Sequence, residues 1–195
     1  MKRDLVLAGV GGQGVLSVAA ILAEAARREG LEVRQGEVHG MSQRGGAVEA
    51  SLRLADGPIE GDLVARGGAD LVLGVEPVEA LRHLEYLGPG GRLVTAVDPY
   101  ENVPAYPPID EVLAAVRAVP GSVLIDAAAL ARRAGSGRVA NVVMVGAASA
   151  FLPISTAVIE TCLREGFAAK GEKVVEANLR AFALGRAAVQ ERAEG

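Results

Sequence analysis

"LAGVGGQGVL", residues 7–16, places four glycines within six positions at the end of an apolar run. That run, DLVLAGV at residues 4–10, has the composition of a strand that is buried on both faces of a sheet. Glycine accepts the positive φ angles of a tight turn and lets the backbone approach other groups closely. The stretch therefore predicts a buried strand, a glycine turn and the first turn of a helix.

A helix is expected to begin at Val15, because the apolar residues keep helical spacing from there onward. Glu24 and Arg28 are four residues apart and can pair on its surface, and Gly30 is placed to end it. The next segment, LEVRQGEV at residues 31–38, has the pattern of a second strand. Together these residues predict a strand–helix–strand unit with a right-handed crossover.

The rest of the chain continues this alternation. The segment AVEASLRL, residues 47–54, alternates apolar and polar side chains, which predicts a strand with one solvated face. Further strands are expected at residues 69–75, at 90–98 and at the start of 121–135. Further helices are expected at residues 76–88, in the second half of 121–135, at 155–167 and at 172–192. Residues 140–152 are ambiguous, although Asn141 could cap a helix there. The pattern predicts one domain, residues 1–195, with a three-layer Rossmann-like α/β fold. Its sheet is expected to be mostly parallel with at least one antiparallel strand, and helices follow at the C-terminus.

Composition excludes several classes of protein. Half of the 195 residues are hydrophobic but only 3% are aromatic, so the core must be aliphatic. The net charge is −4 and the basic residues are dispersed, which argues against nucleic acid as a partner. Cys162 is the only cysteine, and one thiol can form neither an internal disulfide nor a zinc or iron–sulfur site. These features favour a reducing cytoplasm.

Two uncharged stretches, residues 5–23 and 139–159, have about the length that crosses a bilayer. The first also resembles a signal peptide, but its glycines interrupt the apolar segment that such a peptide needs. The second contains Asn141, Ser149 and Pro153, which suit two buried soluble elements separated by a turn. We expect no membrane segment and a cytoplasmic location.

The first glycine segment is a candidate anion site. Gly9, Gly11 and Gly14 satisfy the pattern G-x-G-x-x-G between a strand and a helix, as in dinucleotide-binding folds. The acidic residue that would bind a ribose is missing, because Glu32 comes too early and Glu37 too late. Two interpretations stay open, contact with an anion or cofactor and a tight turn that only packs against backbone. Gln13 favours the first, since its amide has no evident packing role.

A second polar segment, HGMSQRGG at residues 39–46, follows the second predicted strand. The carboxyl ends of neighbouring parallel strands meet at one sheet edge, so the two glycine segments should lie side by side and share a site. Arg44 could bind a carboxylate or phosphate and His39 could transfer a proton, with Ser42 and Gln43 between them. A serine hydrolase is not indicated, because no G-x-S-x-G elbow is present. A flexible polar loop is the remaining alternative.

His83 is the other histidine. On the helix predicted at residues 76–88 it falls on the polar face beside Glu79 and Tyr86. We expect it to be solvated and to have no functional role.

Several of these motifs together resemble one known family. GVGGQGV, EVHGMSQRGGAV, ADLVLGVEPVEALRHLEYLGPGG, NVVMVGA and VVEANLRAFALG are similar to the gamma subunits of 2-oxoacid:ferredoxin oxidoreductases, and within that family to the beta subunit of indolepyruvate ferredoxin oxidoreductases. The resemblance extends from residue 5 to about residue 185. Paired motifs over most of the chain are far more specific than one glycine pattern.

The resemblance implies a role in oxidative decarboxylation. Such enzymes convert a 2-oxoacid and coenzyme A into an acyl-CoA and carbon dioxide and pass electrons to ferredoxin. The resemblance places thiamine diphosphate and the iron–sulfur clusters on partner subunits, so this chain is expected to hold no cofactor or metal and to be inactive alone. It would complete the assembly and shape the entrance for coenzyme A or substrate. The candidate contacts are Gly9, Gly11, Gly12, Gln13, Gly14, His39, Ser42, Gln43 and Arg44.

Two other functions stay open from the sequence. A stand-alone nucleotide-binding dehydrogenase fits the first glycine segment but lacks the ribose carboxylate. A purely structural interaction module is the second, with glycine segments that contact only protein. A subunit should also expose an apolar surface, for which residues 99–108 and the last two helices are candidates, and in isolation the chain could form a homodimer. The particular 2-oxoacid is not indicated.

Overall fold

The computed structural model describes residues 1–39, 45–101 and 105–193. The strands are β1 (Lys2–Val10), β2 (Glu32–His39), β3 (Ala47–Ala55), β4 (Ala69–Gly74), β5 (Leu87–Ala96) and β6 (Val123–Ile125). The α-helices are α1 (Val15–Arg28), α2 (Pro77–Arg82), α3 (Ile109–Ala118), α4 (Ala127–Ala134), α5 (Ala140–Ser149), α6 (Thr156–Phe167) and α7 (Glu172–Ala193).

The strands form one sheet in the order β2-β3-β1-β4-β5-β6. Only β3 is antiparallel to its neighbours, while the pairs β1–β4, β4–β5 and β5–β6 are parallel. The larger hydrophobic cluster joins one sheet face to α1 and to the helices from α4 onward, and the smaller one lies on the opposite face with α2 and α3. The predicted three-layer, mostly parallel α/β fold is confirmed.

The turn between β1 and α1 follows the prediction. From residue 4 onward every residue of β1 is buried, as a strand covered on both faces should be. Gly12 and Gly14 have φ angles of +104° and +85°, which L-amino acids with a side chain rarely adopt. Gly30 follows α1 with a φ angle of +81°, and the nitrogen Nε of Arg28 lies 2.8 Å from an oxygen of Glu24. Glycine conformation thus sets both ends of this helix.

The position of β2 differs from that in a simple strand–helix–strand unit. β3 lies between β1 and β2, and its first residue is opposite the last residue of β1, in the pair Val10 and Ala47. β3 therefore pairs with both strands along its whole length. As a result β2 forms the edge of the sheet and does not contact β1 in the ladder.

The expectation of a solvated face on β3 is wrong. The residues after β3 fold over its polar side chains, and the buried hydroxyl of Ser51 accepts a hydrogen bond from the N–H of Val64 at 3.1 Å. Arg53 lies 3.0 Å from the buried carboxylate of Asp4 and also donates to the carbonyl oxygen of Glu60. The period of two therefore separated apolar from polar side chains, but of the polar ones Ser51 is buried and Glu49 and Arg53 are largely covered, and all three have hydrogen-bond partners.

The helices depart from the predictions in three places. α2 is shorter than residues 76–88, because a 3-10 turn, Leu84–Tyr86, follows it. α3, which directly follows residues 99–108, was not predicted. The ambiguous residues 140–152 do contain a helix, α5, but its N-cap is Val139, so Asn141 lies in the first turn.

α5 and α7 cross in direct backbone contact. A Cβ atom at Gly146 would overlap the carbonyl oxygen of Phe182, and a Cβ atom at Gly185 would overlap the carbonyl oxygen of Val143. Glycine at both positions removes the side chains that would hold the helices apart. This crossing fixes α5, whose first turn lies at the candidate site described below.

None of the helices in the described part of the chain combines the length and the apolar character needed to cross a membrane.

Candidate functional site

The two glycine segments are joined by backbone hydrogen bonds. The N–H of Gly11 donates to the carbonyl oxygen of Gly46 at 2.8 Å, and the N–H of Gly45 donates to the carbonyl oxygen of Gly11 at 3.2 Å. The sequence-based expectation that the segments are neighbours is met at these residues. The reason is different, however, because the antiparallel β3, and not a parallel neighbour, begins beside the end of β1.

Most of the second segment lies outside the described residues, including Ser42, Gln43 and Arg44. The backbone of His39 ends β2 opposite Val48. The functional roles of these four side chains stay predictions.

Gln13 has a structural role that the sequence analysis missed. Its side-chain oxygen accepts a hydrogen bond from the N–H of Val10 at 2.8 Å, and its nitrogen donates to the carbonyl oxygen of Val75 at 3.3 Å. The amide therefore braces the glycine turn against the residue that follows β4. The inference that Gln13 lacks a packing role is wrong, because its partners are backbone groups that a sequence does not display.

The glycines of the first segment have three different roles. Gly9 is inside β1, where a Cβ atom would overlap the side chain of Val75, so it serves close packing. Gly11 is bonded to the second segment. Gly12 and Gly14, with Gln13 between them, line a cavity.

This cavity has a volume of about 420 Å³ and lies beyond the carboxyl ends of β1, β4 and β5. In open α/β sheets that edge is the usual place for a ligand. The lining residues are Gly12, Gln13, Gly14, Val75, Ala96, Asp98, Ala127, Ala128, Gly137, Arg138, Ala140, Asn141 and Met144.

Three helix N-termini converge on the cavity, those of α1, α4 and α5. The N-terminus of α4 already has acidic partners, since Asp126 accepts from the N–H of Ala129 at 2.8 Å and Asp98 accepts from that of Ala128 at 3.0 Å. Within the described residues, α1 and α5 have neither a side-chain cap nor an acidic residue in the first turn. Their first N–H groups and their helix dipoles therefore give this part of the cavity a positive potential.

Two side chains add polar groups to the same wall. Arg138 is exposed and supplies a cation, and Asn141 lies in the first turn of α5, beside Gly14. A Cβ atom at Gly14 would come within 2.8 Å of the Asn141 amide nitrogen, so the two segments are in close contact. Sequence reasoning did not select Arg138 and treated Asn141 only as a cap. The one available signal was a polar residue at the start of an otherwise apolar segment.

Asp98 is the carboxylate of the cavity. Burial is the main cause of a pKa above the ordinary value for aspartate, and the hydrogen bond from the N–H of Ala128 opposes that shift. An anionic ligand in the cavity would therefore lie near a carboxyl group that binds a proton more readily than an ordinary aspartate does.

His83 is not a solvated side chain, and that expectation is wrong. Its exposed fraction is 13%, its ring stacks on Tyr86, and its Nδ1 lies 2.7 Å from the carbonyl oxygen of Glu79. Its Nε2 lies 3.1 Å from a carboxylate oxygen of Glu49, at the start of β3. Sequence reasoning considered only the neighbours on its own helix, and the decisive partner comes from another element.

A resident metal or cluster is not indicated by the residues present. Within the described residues, no group of three histidine, cysteine or acidic side chains is placed to hold a metal ion. Cys162 is buried, and burial raises the pKa of its thiol, which makes the thiolate that binds metals less available. These residues do not fit an iron–sulfur cluster.

Comparison with known proteins identifies relatives over nearly the whole chain. The family model described as pyruvate ferredoxin/flavodoxin oxidoreductase matches residues 4–188. The indolepyruvate oxidoreductase subunit IorB of Thermococcus kodakarensis is 40% identical over 200 aligned positions, which cover 97% of each chain.

Solved structures share the fold. The 2-oxoglutarate:ferredoxin oxidoreductase of Magnetococcus marinus, with 2-oxoglutarate, coenzyme A and succinyl-CoA bound, has a TM-score of 0.78 at 24% identity. The match covers 97% of this chain but 31% of that one, so this chain spans about a third of its length. The gamma subunit of a keto/oxoacid ferredoxin oxidoreductase from Geobacter sulfurreducens has a TM-score of 0.69 at 24% identity, with 97% and 99% of the two chains covered.

Proposed function

The chain belongs to the pyruvate ferredoxin/flavodoxin oxidoreductase family, and from this premise we propose that it is the gamma-type subunit of a 2-oxoacid:ferredoxin oxidoreductase. The assembled enzyme would oxidatively decarboxylate a 2-oxoacid with coenzyme A, forming an acyl-CoA and carbon dioxide and reducing ferredoxin. The similarity to an indolepyruvate oxidoreductase subunit favours an aryl pyruvate as substrate.

Thiamine diphosphate and the iron–sulfur clusters would be held by partner subunits. The described residues offer no cluster ligands, and the only thiol of the chain is buried. This chain would therefore be a non-redox component, inactive without its partners, and residues 1–195 would form its single domain.

The cavity beside the first glycine segment is the observation that carries our proposal for this subunit's role. It combines two helix N-termini without side-chain caps, the cation of Arg138 and the amide of Asn141. N–H groups at helix ends and an arginine fork bind phosphate and carboxylate oxygens. Coenzyme A carries phosphates and a 2-oxoacid carries a carboxylate, so an anionic part of either would be stabilised there. The loop that contains His39, Ser42, Gln43 and Arg44 would complete the same site.

A stand-alone dehydrogenase is less consistent with the fold. A dinucleotide site needs an acidic residue at the end of the strand that neighbours β1 and is parallel to it. The neighbour on that side is the antiparallel β3, and Glu37 lies on the edge strand β2. The first glycine pattern thus occurs without the strand arrangement that makes it a dinucleotide site.

The test uses the complex reconstituted from its separately purified subunits, with Arg138→Gln or Asn141→Ala in this chain. Loss of one charge-assisted contact should raise KM for coenzyme A or for the 2-oxoacid about tenfold for Arg138→Gln, while kcat changes little. Arg133→Gln is the matched control, because Arg133 is an exposed arginine near the end of α4 that does not line the cavity. If the Arg138 and Asn141 variants keep both KM values of the wild type, the cavity does not bind either compound. Turnover by this chain alone would contradict its role as a subunit.

A further inference from the structure

We propose that Asp98 makes the cavity selective for phosphate groups that carry a proton, as inorganic phosphate and phosphate monoesters do. The ribose phosphate of coenzyme A is such a monoester. The inference rests on the function proposed above, because it names the anion that the cavity binds and the residue that selects it. Asp98 is thereby assigned as a specificity-determining residue of that site.

Asp98 places a carboxylate in a cavity whose other polar groups favour anions. It follows β5 and lines the cavity together with Arg138 and Asn141. The N-termini of α1 and α5, neither of which has a side-chain cap within the described residues, also favour negative charge. An anion without a proton would be attracted by these groups and repelled by Asp98.

The backbone of α4 holds the Asp98 carboxylate in place. Its Oδ2 accepts a hydrogen bond from the N–H of Ala128 at 3.0 Å, and the N–H of Ala127 also favours the ionised form. A carboxylate has about four lone-pair directions on its two oxygens, so these N–H groups leave acceptor capacity for a ligand. Asp98 can therefore accept a hydrogen bond from an O–H group in the cavity.

Burial makes this carboxylate unfavourable unless a ligand donates to it. Burial is the main cause of the raised pKa of Asp98, and the nearby carboxylate of Asp126 raises the pKa further. The N–H groups of α4 and the guanidinium of Arg132 oppose the shift but do not cancel it. A hydrogen bond from a ligand would offset the cost of burying the charge. Such perturbed groups are common where a protein binds a ligand.

The chemistry of the anion determines whether it can supply this hydrogen bond. A phosphate monoester has a second pKa of about 6, so near neutral pH it can keep a proton and donate it to a carboxylate. Sulfate, a pyrophosphate diester and the carboxylate of a 2-oxoacid carry no such proton, and Asp98 would have to take one from water.

The remaining phosphate oxygens would accept hydrogen bonds from the N–H groups of α1 and α5 and from Arg138. Donor and acceptor needs of the cavity are then met by one group. Among the anionic groups of coenzyme A and a 2-oxoacid, the ribose phosphate of coenzyme A is therefore the best match.

The experiment measures binding of inorganic phosphate and of sulfate to the full chain near neutral pH. Binding is followed by NMR titration of the Gly14 and Asn141 amides at constant ionic strength. Both anions are tetrahedral, but only phosphate carries a proton under these conditions. The wild type should bind phosphate at least about tenfold more tightly than sulfate, as expected for one hydrogen bond to a charged group. Asp98→Asn should bind both anions with similar affinity, because its amide can donate an N–H to either.

Asp126→Asn is the matched control. Asp126 is an exposed carboxylate at the same end of α4, where it accepts from the N–H of Ala129 at 2.8 Å, and it does not line the cavity. This variant loses the same charge and should keep the preference of the wild type for phosphate. The proposal would be overturned by equal affinities of the wild type for the two anions or by no binding of phosphate. An unchanged preference in Asp98→Asn would overturn it as well.

A second pair of ligands identifies the source of the phosphate. Dephospho-coenzyme A lacks the ribose phosphate, so the wild type should bind it at least about tenfold more weakly than coenzyme A. Equal affinities would overturn coenzyme A as the source and assign the site to free phosphate.

These outcomes are distinguishable from failure of the proposed function, because anion binding is measured without partner subunits or turnover. Preference for phosphate together with unchanged KM values in the Arg138 and Asn141 variants would refute the proposed function alone. Equal affinity for phosphate and sulfate together with raised KM values would refute the role of Asp98 alone.

Discussion

Replacement of Gly185 by alanine tests the account of how α5 is held beside the cavity. A Cβ atom at this position would overlap the carbonyl oxygen of Val143 and lie 2.8 Å from its carbonyl carbon. Both groups are backbone, so no rotamer change can relieve the contact, and the helices must separate. Overpacking of this kind costs about 3 kcal/mol at the upper end of its range. Alanine gains about 1 kcal/mol over glycine in helix propensity, which leaves a net loss of about 2 kcal/mol.

The assay is thermal unfolding of the isolated chain. A loss of about 2 kcal/mol should lower Tm by about 4–8 °C in a protein of this size. Gly166→Ala is the matched control, because Gly166 lies within α6 and nothing is within 4 Å of the Cβ atom that alanine would add. The control should raise Tm slightly through helix propensity alone. A Gly185→Ala protein as stable as the Gly166→Ala protein would refute the close helix crossing.

Three further substitutions have definite expected outcomes. Asp98→Asn should raise Tm at neutral pH. Burial keeps the pKa of this carboxyl above its usual range, so the folded protein binds the proton more tightly than the unfolded chain does, and the ionised carboxylate destabilises the fold. The gain in Tm over the wild type should therefore shrink as the pH is lowered through that pKa. Tyr106→Phe should lower the free energy of unfolding, measured by urea titration, by about 1–3 kcal/mol. The phenol donates a hydrogen bond to the buried carboxylate of Glu76, and phenylalanine cannot replace it. An unchanged free energy of unfolding would show that water donates to Glu76 in its place. Gln13→Ala should lower Tm by several degrees, because the N–H of Val10 and the carbonyl oxygen of Val75 each lose a hydrogen bond worth about 1 kcal/mol. An unchanged Tm would mean that these two hydrogen bonds do not stabilise the protein.

Local sequence patterns were sufficient to predict the strand, turn and helix that position the first glycine segment beside the cavity. The buried run before Gly9, the glycines themselves and the helical spacing after Val15 each reflect forces within a few residues. For that reason β1, α1 and the turn between them were predicted close to their observed bounds. The last two helices were predictable in the same way, from apolar spacing over more than ten residues.

Long-range contacts account for most of the errors. The polar face of β3 is covered by residues that follow a turn, and His83 is held by Glu49, which is 34 residues away. Gln13 binds a carbonyl oxygen 62 residues away. No periodicity encodes such pairs, because each depends on where the sheet places the two segments. The polar lining of the cavity was missed for the same reason, since only the fold brings Arg138 and Asn141 to the same cavity as Gly14.

The two hydrogen bonds of Gly11 have a consequence for how this motif should be interpreted. In a dinucleotide fold the middle glycine of the pattern leaves room for a pyrophosphate to approach the backbone. Here the N–H and the carbonyl oxygen of Gly11 are both hydrogen-bonded to the second glycine segment, at Gly46 and Gly45, in place of a ligand. A nucleotide bound in the usual manner would first have to break the hydrogen bonds that Gly11 makes with Gly45 and Gly46. The chain thus has a glycine pattern typical of nucleotide-binding folds, but the backbone of its middle glycine, Gly11, is already hydrogen-bonded within the protein. Addition of NAD should therefore leave the melting temperature of the chain unchanged.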